Sequence, residues 1–541
     1  MADGTYQKDG DAGFIGLNSR DNPSALPQGY VSEARNVRLD RGVASCRKGL
    51  ERRTKVLLAG NDIYGSCTYI DSTGQEIIVV VTTDKLWTYN PQTDFLDTAK
   101  TFPAGQTITT SDGCDVIQAM DKIFITRGYL KRPLLWDMTS PTLTVFPAVT
   151  SGSAGHQFPN PNVLAYYGNR LIAQARHHND TVDARHRDSV SVSNYLDYQN
   201  WDILDVFTFN NGGNDQVVAI APWTLNEFIV FMRHSIFYVN IGVGRYTTGD
   251  SLSNDSFIKT LVTDMGCIAN RSVVQAGGGI MFLSDNGVYF MNPTAVGSNE
   301  SMRLLTADSP LSAPVDDVIQ RINRNYAHRS VGCYWNNRYY LAVPLDTSTK
   351  NNAVLIYNFI LKAWESVDTY PDGIDVFNFA VAKYNNQRRL FIIDTDQGIF
   401  LTEELNHDEY GNATGTPTIP AYLPFLLGEN EYESNLIESS VTTRRYTFGT
   451  FADKRFSGTE IDFQFQAGSA IETEALIANE DTSVLIDSYG SGSDNDETRR
   501  VPIRKFGTGI QLKFTTKSIR PLIRSAFVYG VLKVKNIISK K

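Results

Sequence analysis

A two-strand motif recurs along the middle of this 541-residue chain and constrains its fold more than any other feature. Each copy has an apolar strand, a polar turn and a second strand that opens with apolar and aromatic residues. Glycine ends the two sharpest turns, Asp285-Asn286-Gly287 and Asp396-Gln397-Gly398, because it adopts a positive φ without strain. The motif predicts antiparallel hairpins. Its four copies are TTDKLWTYN (82–90), MRHSIFYVN (232–240), LSDNGVYFMN (283–292) and DTDQGIFLTE (394–403).

The spacing of these hairpins is regular. Their turns begin near Asp84, Arg233, Asp285 and Asp396, so the successive gaps are 149, 52 and 111 residues. Those gaps are close to three, one and two steps of about 50 residues, a period typical of the blades of a β-propeller. We therefore predict a β-propeller-like domain over residues 59–405. An unspecified sandwich or meander of antiparallel strands is the alternative.

A second motif resembles the outer hairpin of such a blade. It has an aromatic residue, a turn and an apolar return strand, and it occurs at residues 89–98, 136–146 and 357–367. Segments 168–180 and 335–344 each have a polar turn followed by a strand. They lie near positions of the repeat at which the first motif has no copy.

The rest of the chain also favours strands, so we predict an all-β protein. The best helix candidate is residues 312–325, where Pro314 suits a first helical turn. Residues 406–433 read as a linker or excursion. Residues 434–541 hold alternating strands such as GTEIDFQFQAG (458–468), and we expect a small β-sandwich-like C-terminal domain there.

Composition narrows the class of protein. The formal net charge is -9, which argues against general binding of duplex nucleic acid, because such binding needs cations to contact phosphates. The five cysteines are too widely spaced for a metal or redox pair, so we expect them to be reduced. The polar N-terminus and the lack of an apolar run of about 18 residues predict neither a signal peptide nor a membrane-spanning segment.

Three weak signals for chemistry are present, and each has a plainer interpretation. ARHHNDTVDARHRD (175–188) clusters histidines and aspartates, but neighbouring His177 and His178 point apart on a strand and the flanking arginines repel a metal ion. Asp285-x-Gly287 and Asp396-x-Gly398 lack the further oxygens that calcium needs. The many carboxylates single out no pair at a spacing that would serve a glycosidase. We therefore predict a protein that is not an enzyme and that has no catalytic residues, metal site or cofactor.

The stretch DNPSALPQGYVSEARNVRLDRGVASCRKGL (21–50) has no helical stripe and no strand alternation of useful length. Its prolines favour extended backbone in the residues before them, and we assign residues 1–58 to an extended N-terminal arm. We expect much of residues 17–53 to contact a neighbouring subunit or the chain's own C-terminal domain. Planar guanidinium groups pair well with carboxylates, so we predict that the arm's arginines lie at a subunit interface. A strand and loop packed on the chain's own propeller is the alternative. The candidate interface residues are Arg35, Arg38, Arg41 and Arg47.

Residues 17–53 resemble the N-terminal segment of tail proteins of short-tailed bacteriophages. The resemblance rests on residues that occur in the matching order: Asp21, Pro23, Leu26, Gly29, Ala34, Asn36, Gly42, Arg47 and Gly49. It extends loosely to the rest of the chain through the propeller-like middle, the IYNFILKAWES hairpin and the β C-terminal region.

The resemblance implies a tail nozzle or tail tube protein, also described as a DNA-stabilising tail protein. Such a subunit is expected to form a homohexameric ring below the portal and its adaptor, with the propeller facing outward. The ring's channel retains the viral double-stranded DNA and later passes it without reading its sequence. The expected location is the virion tail, after assembly in the host cytoplasm. No motif in the chain separates nozzle, tube and hub proteins.

A propeller-type protein that binds or cleaves glycans is the alternative function. It would use some of the 26 tyrosines and 6 tryptophans to stack on sugar rings, although the same residues commonly fill the cores of β structures.

Overall fold

The computed structural model describes an almost entirely β protein, which confirms the all-β prediction. The predicted helix exists but is shorter: α1 covers Asp316–Gln320 and follows a 3-10 turn at Ala313–Val315. Two other 3-10 turns lie at Asn270–Ser272 and Ala327–Arg329. The described residues are 6–53, 62–109, 114–146, 158–174, 187–202, 204–209, 215–224, 226–242, 246–252, 255–291, 309–371, 374–395, 398–410, 433–478, 482–516 and 521–532.

The N-terminal segment, residues 6–53, is mostly short strands. They are β1 (Tyr6–Asp11), β2 (Gly16–Leu17), β3 (Tyr30–Arg35), β4 (Val37–Asp40), β5 (Val43–Cys46) and β6 (Glu51–Arg52).

The central region, residues 62–401, forms seven successive antiparallel sheets in its described parts, here numbered sheets 1 to 7 in chain order. Sheet 1 holds β7 (Ile63–Ile70), β8 (Glu76–Thr82), β9 (Lys85–Asn90), β10 (Phe95–Leu96) and β11 (Lys100–Thr101); sheet 2 holds β12 (Val116–Ala119), β13 (Lys122–Ile125), β14 (Leu134–Trp136) and β15 (Thr144–Val145); sheet 3 holds β16 (Leu164–Tyr167), β17 (Arg170–Ala173), β18 (Ser189–Val192) and β19 (Val206–Thr208). Sheet 4 holds β20 (Val217–Thr224), β21 (Glu227–Met232), β22 (Ile236–Asn240) and β23 (Phe257–Val262); sheet 5 holds β24 (Val274–Ala276), β25 (Gly279–Ser284) and β26 (Gly287–Met291). Sheet 6 holds β27 (Val331–Trp335), β28 (Arg338–Val343), β29 (Ala353–Asn358) and β30 (Ala363–Thr369); sheet 7 holds β31 (Val376–Tyr384), β32 (Gln387–Asp394) and β33 (Gly398–Leu401).

The central strands of these sheets bury both faces. In β8, Ile78 and Val80 pack against sheet 7, whereas Val79 and Val81 pack against sheet 2. Successive side chains of a strand point to opposite faces, so a strand covered on both sides reads as a continuous apolar run rather than an alternating one. The run EIIVVV in β8 has this origin.

The sheets pack on one another in chain order, and the last packs on the first. Shared hydrophobic clusters join sheets 1 and 2, 2 and 3, 3 and 4, 4 and 5, 5 and 6, and 6 and 7. A further cluster joins sheet 7 to sheet 1, where Phe391 and Ile393 of β32 pack with Ile78 and Val80. The first segments of the sheets follow the same order: β7, β12, β16, β20, the Asn270–Ser272 turn, β27 and β31 contact one another in succession, and β31 contacts β7.

The recurring motif lies at equivalent places in these sheets. Its four copies contain the connections between β8 and β9, β21 and β22, β25 and β26, and β32 and β33. They belong to sheets 1, 4, 5 and 7, which matches the predicted three, one and two steps. Gly287 has φ 139° and Gly398 has φ 115°, as expected for glycines that end tight turns. Asp396 and Gln397 lie outside the described residues.

The C-terminal strands build two further sheets with help from the N-terminal segment. One is the ten-stranded sheet in the order β27-β28-β29-β30-β2-β3-β36-β41-β38-β39, which extends sheet 6; the other is the six-stranded sheet in the order β4-β5-β42-β37-β40, with β1 paired to β42. A separate pair, β34 and β35, flanks residues 411–432, which lie outside the described residues. These strands are β34 (His407–Tyr410), β35 (Glu433–Leu436), β36 (Ser439–Thr443), β37 (Lys454–Phe465), β38 (Ala470–Ile477), β39 (Val484–Gly490), β40 (Asn495–Gly507), β41 (Ile510–Thr516) and β42 (Leu522–Leu532).

The N-terminal segment is therefore built into the rest of the chain. Strand β3 pairs with β36 and also with β30, so it lies between the C-terminal strands and sheet 6. Strand β5 pairs with β42, and β6 is the fourth strand of sheet 7. The path is extended, as the prolines predict, but its backbone hydrogen bonds are made within the same chain.

The core between the two C-terminal sheets generates the first prediction. Phe463 of β37 is fully buried, and its ring lies 6.2 Å from that of Phe514 of β41. Replacing a buried phenylalanine by alanine removes apolar contacts and leaves a cavity. We expect Phe463→Ala to lower the free energy of unfolding by about 3–5 kcal/mol, measured by urea denaturation.

Phe451→Ala is the matched control, because that side chain is 72% exposed. Its effect should stay within about 0.5 kcal/mol. Equal losses for the two variants would show that Phe463 does not occupy the core described above.

Candidate functional site

The N-terminal segment is held by a group of buried ion pairs, here called the arm dock: Arg38, Arg47, Asp368, Glu403 and Asp408. The segment enters the dock through Asn36, whose φ of 55° turns the chain between β3 and β4. Asparagine tolerates this left-handed conformation better than most residues. Its Oδ1 accepts hydrogen bonds from the backbone N–H of Thr369 and from Nε of Arg47.

Arg47 is the most completely paired residue of the dock. Its Nη1 lies 2.9 Å from Oδ1 of Asp408 and its Nη2 lies 2.6 Å from Oδ2, so the pair is bidentate. The remaining N–H groups donate to Asn36 Oδ1 and to the carbonyl oxygens of Lys48 and Thr369. Both charged residues are almost fully buried. Burial alone would lower the pKa of Arg47, but the adjoining Asp408 carboxylate raises it above its ordinary value.

Arg38 links the segment to sheets 6 and 7. Its Nη2 lies 2.7 Å from Oδ2 of Asp368 in β30 and 2.5 Å from Oε1 of Glu403, which follows β33. Burial acts to lower the pKa of Arg38, whereas Asp368 and Glu403 raise it well above the usual range. Asp368 is itself fixed, since Ser366 Oγ donates to its other oxygen.

A second buried carboxylate extends this contact to the backbone. Glu365 accepts 2.6 Å and 3.0 Å hydrogen bonds from Arg338 and a 2.7 Å hydrogen bond from the backbone N–H of Leu39 in β4. The segment is thus recognised through both its side chains and its main chain.

The four predicted interface arginines therefore fall into two pairs. Arg38 and Arg47 are buried against carboxylates of their own chain. Arg35 and Arg41 are exposed; Arg35 Nε donates to Thr369 Oγ1 at 3.0 Å, and Arg41 lies in the tight β4–β5 turn with φ 51°. The pairing of arginine with carboxylate was anticipated, but for Arg38 and Arg47 the partner is intrachain. A subunit interface at Arg35 and Arg41 stays a prediction.

A second group of ion pairs holds β1, and the sequence analysis did not predict it. Arg444 donates to Asp9 at 2.7 Å and to Asp11 at 2.9 Å. Asp11 also accepts hydrogen bonds from the Tyr446 hydroxyl and the Gly29 backbone N–H. These partners are more than 400 residues apart in most cases, and no local pattern marks them.

An open cleft of about 730 Å³ adjoins the dock between sheets 6 and 7. Cationic and aromatic side chains line it, together with Glu403 of the dock. Several of these cations are already paired, Arg338 with Glu365 and Arg389 with Glu404. The cleft is therefore a polar surface beside the arm dock. Its lining includes Arg38, Lys48, Trp335, Arg338 and Arg389.

The weak chemical signals of the sequence lie only partly in the parts of the chain that the structure describes. Residues 175–186 of the histidine-rich segment lie outside those parts. Asp285 does not face calcium-type ligands there; its carboxylate accepts from Arg233 at 2.7 Å. Among the described residues, no group of three or more histidine, cysteine or acidic side chains is placed to hold a metal ion.

No protein-family model matches the sequence, and no curated protein shows a significant match to it. Within the described ranges, no helix has the length and apolar character to span a membrane.

The buried pair of Arg47 and Asp408 generates the second prediction. Removing one partner of a buried pair leaves an uncompensated charge, which typically costs about 3–5 kcal/mol. We expect Arg47→Leu and Asp408→Leu each to lower the free energy of unfolding by about this amount. The double variant should lose less than the two single losses added together, because it buries neither charge alone.

Arg35→Leu serves as the control, since Arg35 is exposed and forms no ion pair among the described residues. We expect a change within about 0.5 kcal/mol. Additive losses in the double variant would contradict a direct coupling between Arg47 and Asp408.

Proposed function

We propose that the seven central sheets are the blades of a closed β-propeller, joined to a β-sandwich-like C-terminal domain. The cyclic order of the hydrophobic clusters supports this, as does the contact of β31 with β7. Strand β6 supplies the outer strand of sheet 7 through pairs of Arg52 with Phe400 and Glu51 with Leu401. The beginning of the chain thereby hydrogen-bonds to the last of the seven sheets, and it helps to hold the ring closed.

We further propose that the protein is a structural component of a short-tailed bacteriophage tail, forming the nozzle or tube through which the genome is retained and then ejected. The observation that carries the proposal is the role of residues 17–53. The segment that resembles phage tail proteins is also the one that pairs with sheet 6, sheet 7 and both C-terminal sheets. A part of a tail must keep its domains aligned while DNA passes, and this segment joins them through several short stretches of backbone pairing.

The functional form in this proposal is a homohexameric ring in the virion, in contact with the portal adaptor and other tail proteins. The charge of the chain suits a conduit. A net charge of -9 gives an overall repulsion of phosphates, and weak repulsion lets DNA slide where tight binding would retain it. Contact with the DNA is transient and independent of its sequence.

Ring assembly is the measurement that tests this function. Arg35 and Arg41 are exposed and available to a neighbouring subunit, so we expect Arg35→Glu/Arg41→Glu to reduce the hexamer fraction in native mass spectrometry at least about tenfold, because like charges facing an acidic neighbour repel. The melting temperature of the isolated chain should change little. Arg324→Glu, which reverses an exposed charge on the central region, is the matched control.

Negative-stain images of the purified chain should show rings that dock on a portal–adaptor complex. A chain that stays monomeric at every concentration and binds or depolymerises polysaccharide would favour the glycan-directed alternative. Rings that form equally well with both glutamates in place would contradict the role assigned to Arg35 and Arg41 while leaving assembly itself intact.

A further inference from the structure

A polar pocket of about 440 Å³ lies at the centre of the seven sheets, where several of their first strands begin. Its wall combines the starts of β7 and β31, the segment before β16, and the 3-10 turns that precede β24 and β27. Most of the lining residues lie in the turns and connections that lead into these strands, so the ends of the strands position their side chains. The lining residues that matter are Asn162, Arg271, Arg329, Asn351 and Phe377.

Arg271 brings a poorly compensated positive charge to the pocket. Its Nη1 donates to the carbonyl oxygen of Phe377 at 3.2 Å, and its guanidinium carbon lies 4.3 Å from the centre of the Phe377 ring. Within the described residues, no carboxylate lies within ion-pair distance of it. Arginine has five N–H donors, so most of its hydrogen-bonding capacity is unused.

Arg329 adds a second guanidinium of the same kind. Its Nη1 donates to the carbonyl oxygen of Thr349 at 3.0 Å, and it lies 5.3 Å from the ring centre of Tyr326. It too has no ion pair among the residues that the structure describes. Burial lowers the pKa of Arg271, Asp115 partly restores it, and the neighbouring Arg329 lowers it further. The half-buried Arg271 and the exposed Arg329 therefore bring two positive charges to the same pocket.

The other charged groups near the pocket offset this pair only in part. Lys350 is matched by Asp375 at 3.6 Å. Asp115 raises the pKa of Arg271, but it forms no ion pair with Arg271 and does not line the pocket; its two oxygens accept hydrogen bonds from the backbone N–H groups of Val116 and Leu164. Asp62 lines the pocket and is exposed, so water screens its charge as it screens that of Arg329.

Asn351 supplies an unused acceptor in the same wall. The residue is only 3% exposed, and its Nδ2 donates to the carbonyl oxygens of Arg329 and Val376, each at 2.8 Å. Two carbonyl acceptors fix the orientation of the amide, which leaves Oδ1 without a donor among the described groups. A buried acceptor without a partner is costly, and a hydroxyl group of a bound molecule that displaced the adjoining wall enough to reach Oδ1 would satisfy it.

We propose that this axial pocket binds a small polyol that carries a carboxylate or phosphate group, such as a sugar acid or a sugar phosphate. Arg271 and Arg329 hold the anionic group through charge-assisted hydrogen bonds, which are the stronger kind. A hydroxyl group donates to Asn351, and Phe377 closes the wall. Pockets of a few hundred Å³ are the usual size for ligands of this class. The inference does not depend on ring assembly, because all of the described lining residues belong to one chain.

Isothermal titration calorimetry on the full chain tests the proposal with glucuronate, glucose 6-phosphate, glucose and inorganic phosphate as probes. At least one of the two sugar anions should bind saturably, and glucose should bind at least about tenfold more weakly, since it lacks the charge that the arginines recognise. Inorganic phosphate should also bind at least about tenfold more weakly than that sugar anion, because it offers no polyol to Asn351 and Phe377.

Two variants and a control locate the binding. Arg329→Gln changes an exposed side chain, so the fold should persist while affinity for the sugar anion falls at least about tenfold. Arg271→Gln should lower affinity by a similar or larger factor. Arg324→Gln removes an exposed arginine of the same loop that does not line the pocket, and affinity should be unchanged.

Three results would overturn the proposal. They are the lack of saturable binding by both sugar anions, unchanged affinity in a folded Arg329→Gln variant, and binding of inorganic phosphate as tight as that of the sugar anions. A monomeric chain that still binds the sugar anions would contradict the tail function and leave this pocket assignment standing.

Discussion

Burial of both faces is the constraint on which the central region depends. The strands of each central sheet carry apolar side chains on both faces. Each sheet therefore needs a neighbouring sheet on each face to keep that surface from water. An open row would leave one face of sheet 1 and one face of sheet 7 uncovered. Packing of Ile78 and Val80 against Phe391 and Ile393 removes that exposure. The sheets pack in the order in which their hairpins occur in the chain. Because the outer faces of sheet 1 and sheet 7 must also be covered, these two sheets pack on each other.

The N-terminal segment joins the central sheets to the C-terminal sheets through strand pairing. Strand β6 belongs to sheet 7, β3 to the ten-stranded sheet, and β1, β4 and β5 to the six-stranded sheet. Every shift of the C-terminal strands relative to the central region would therefore break backbone hydrogen bonds of β3 with β36 or β30. The N-terminal segment cannot form a core of its own. It is held in place because its strands pair with strands of several other sheets.

The sequence predicted local features well and distant partners poorly, for a physical reason. A hairpin is specified by its own turn, so Asp285-Asn286-Gly287 and the spacing of the other copies placed the strands correctly. The helix at 312–325 was predicted too long, since only Asp316–Gln320 is α-helical. Asp408, by contrast, lies 361 residues from Arg47, and nothing near either residue marks it as a partner. The arginines were recognised as needing carboxylates, but the sequence could not show that two of them find these within the chain.

We infer that the arm dock contributes specificity more than stability. Buried ion pairs gain little net free energy over apolar replacements, because desolvating both charges offsets their attraction. Their effect is instead to make a wrong strand register of the N-terminal segment less stable. Arg38 and Arg47 meet carboxylates in β30, after β33 and in β34, and a slip of one residue along β4 and β5 would turn each strand's buried side chains to the opposite face. Arg38 would then be buried without Asp368, and Leu39 would face the position of a charge. The dock thus penalises a one-residue slip of the segment that joins the regions of this protein.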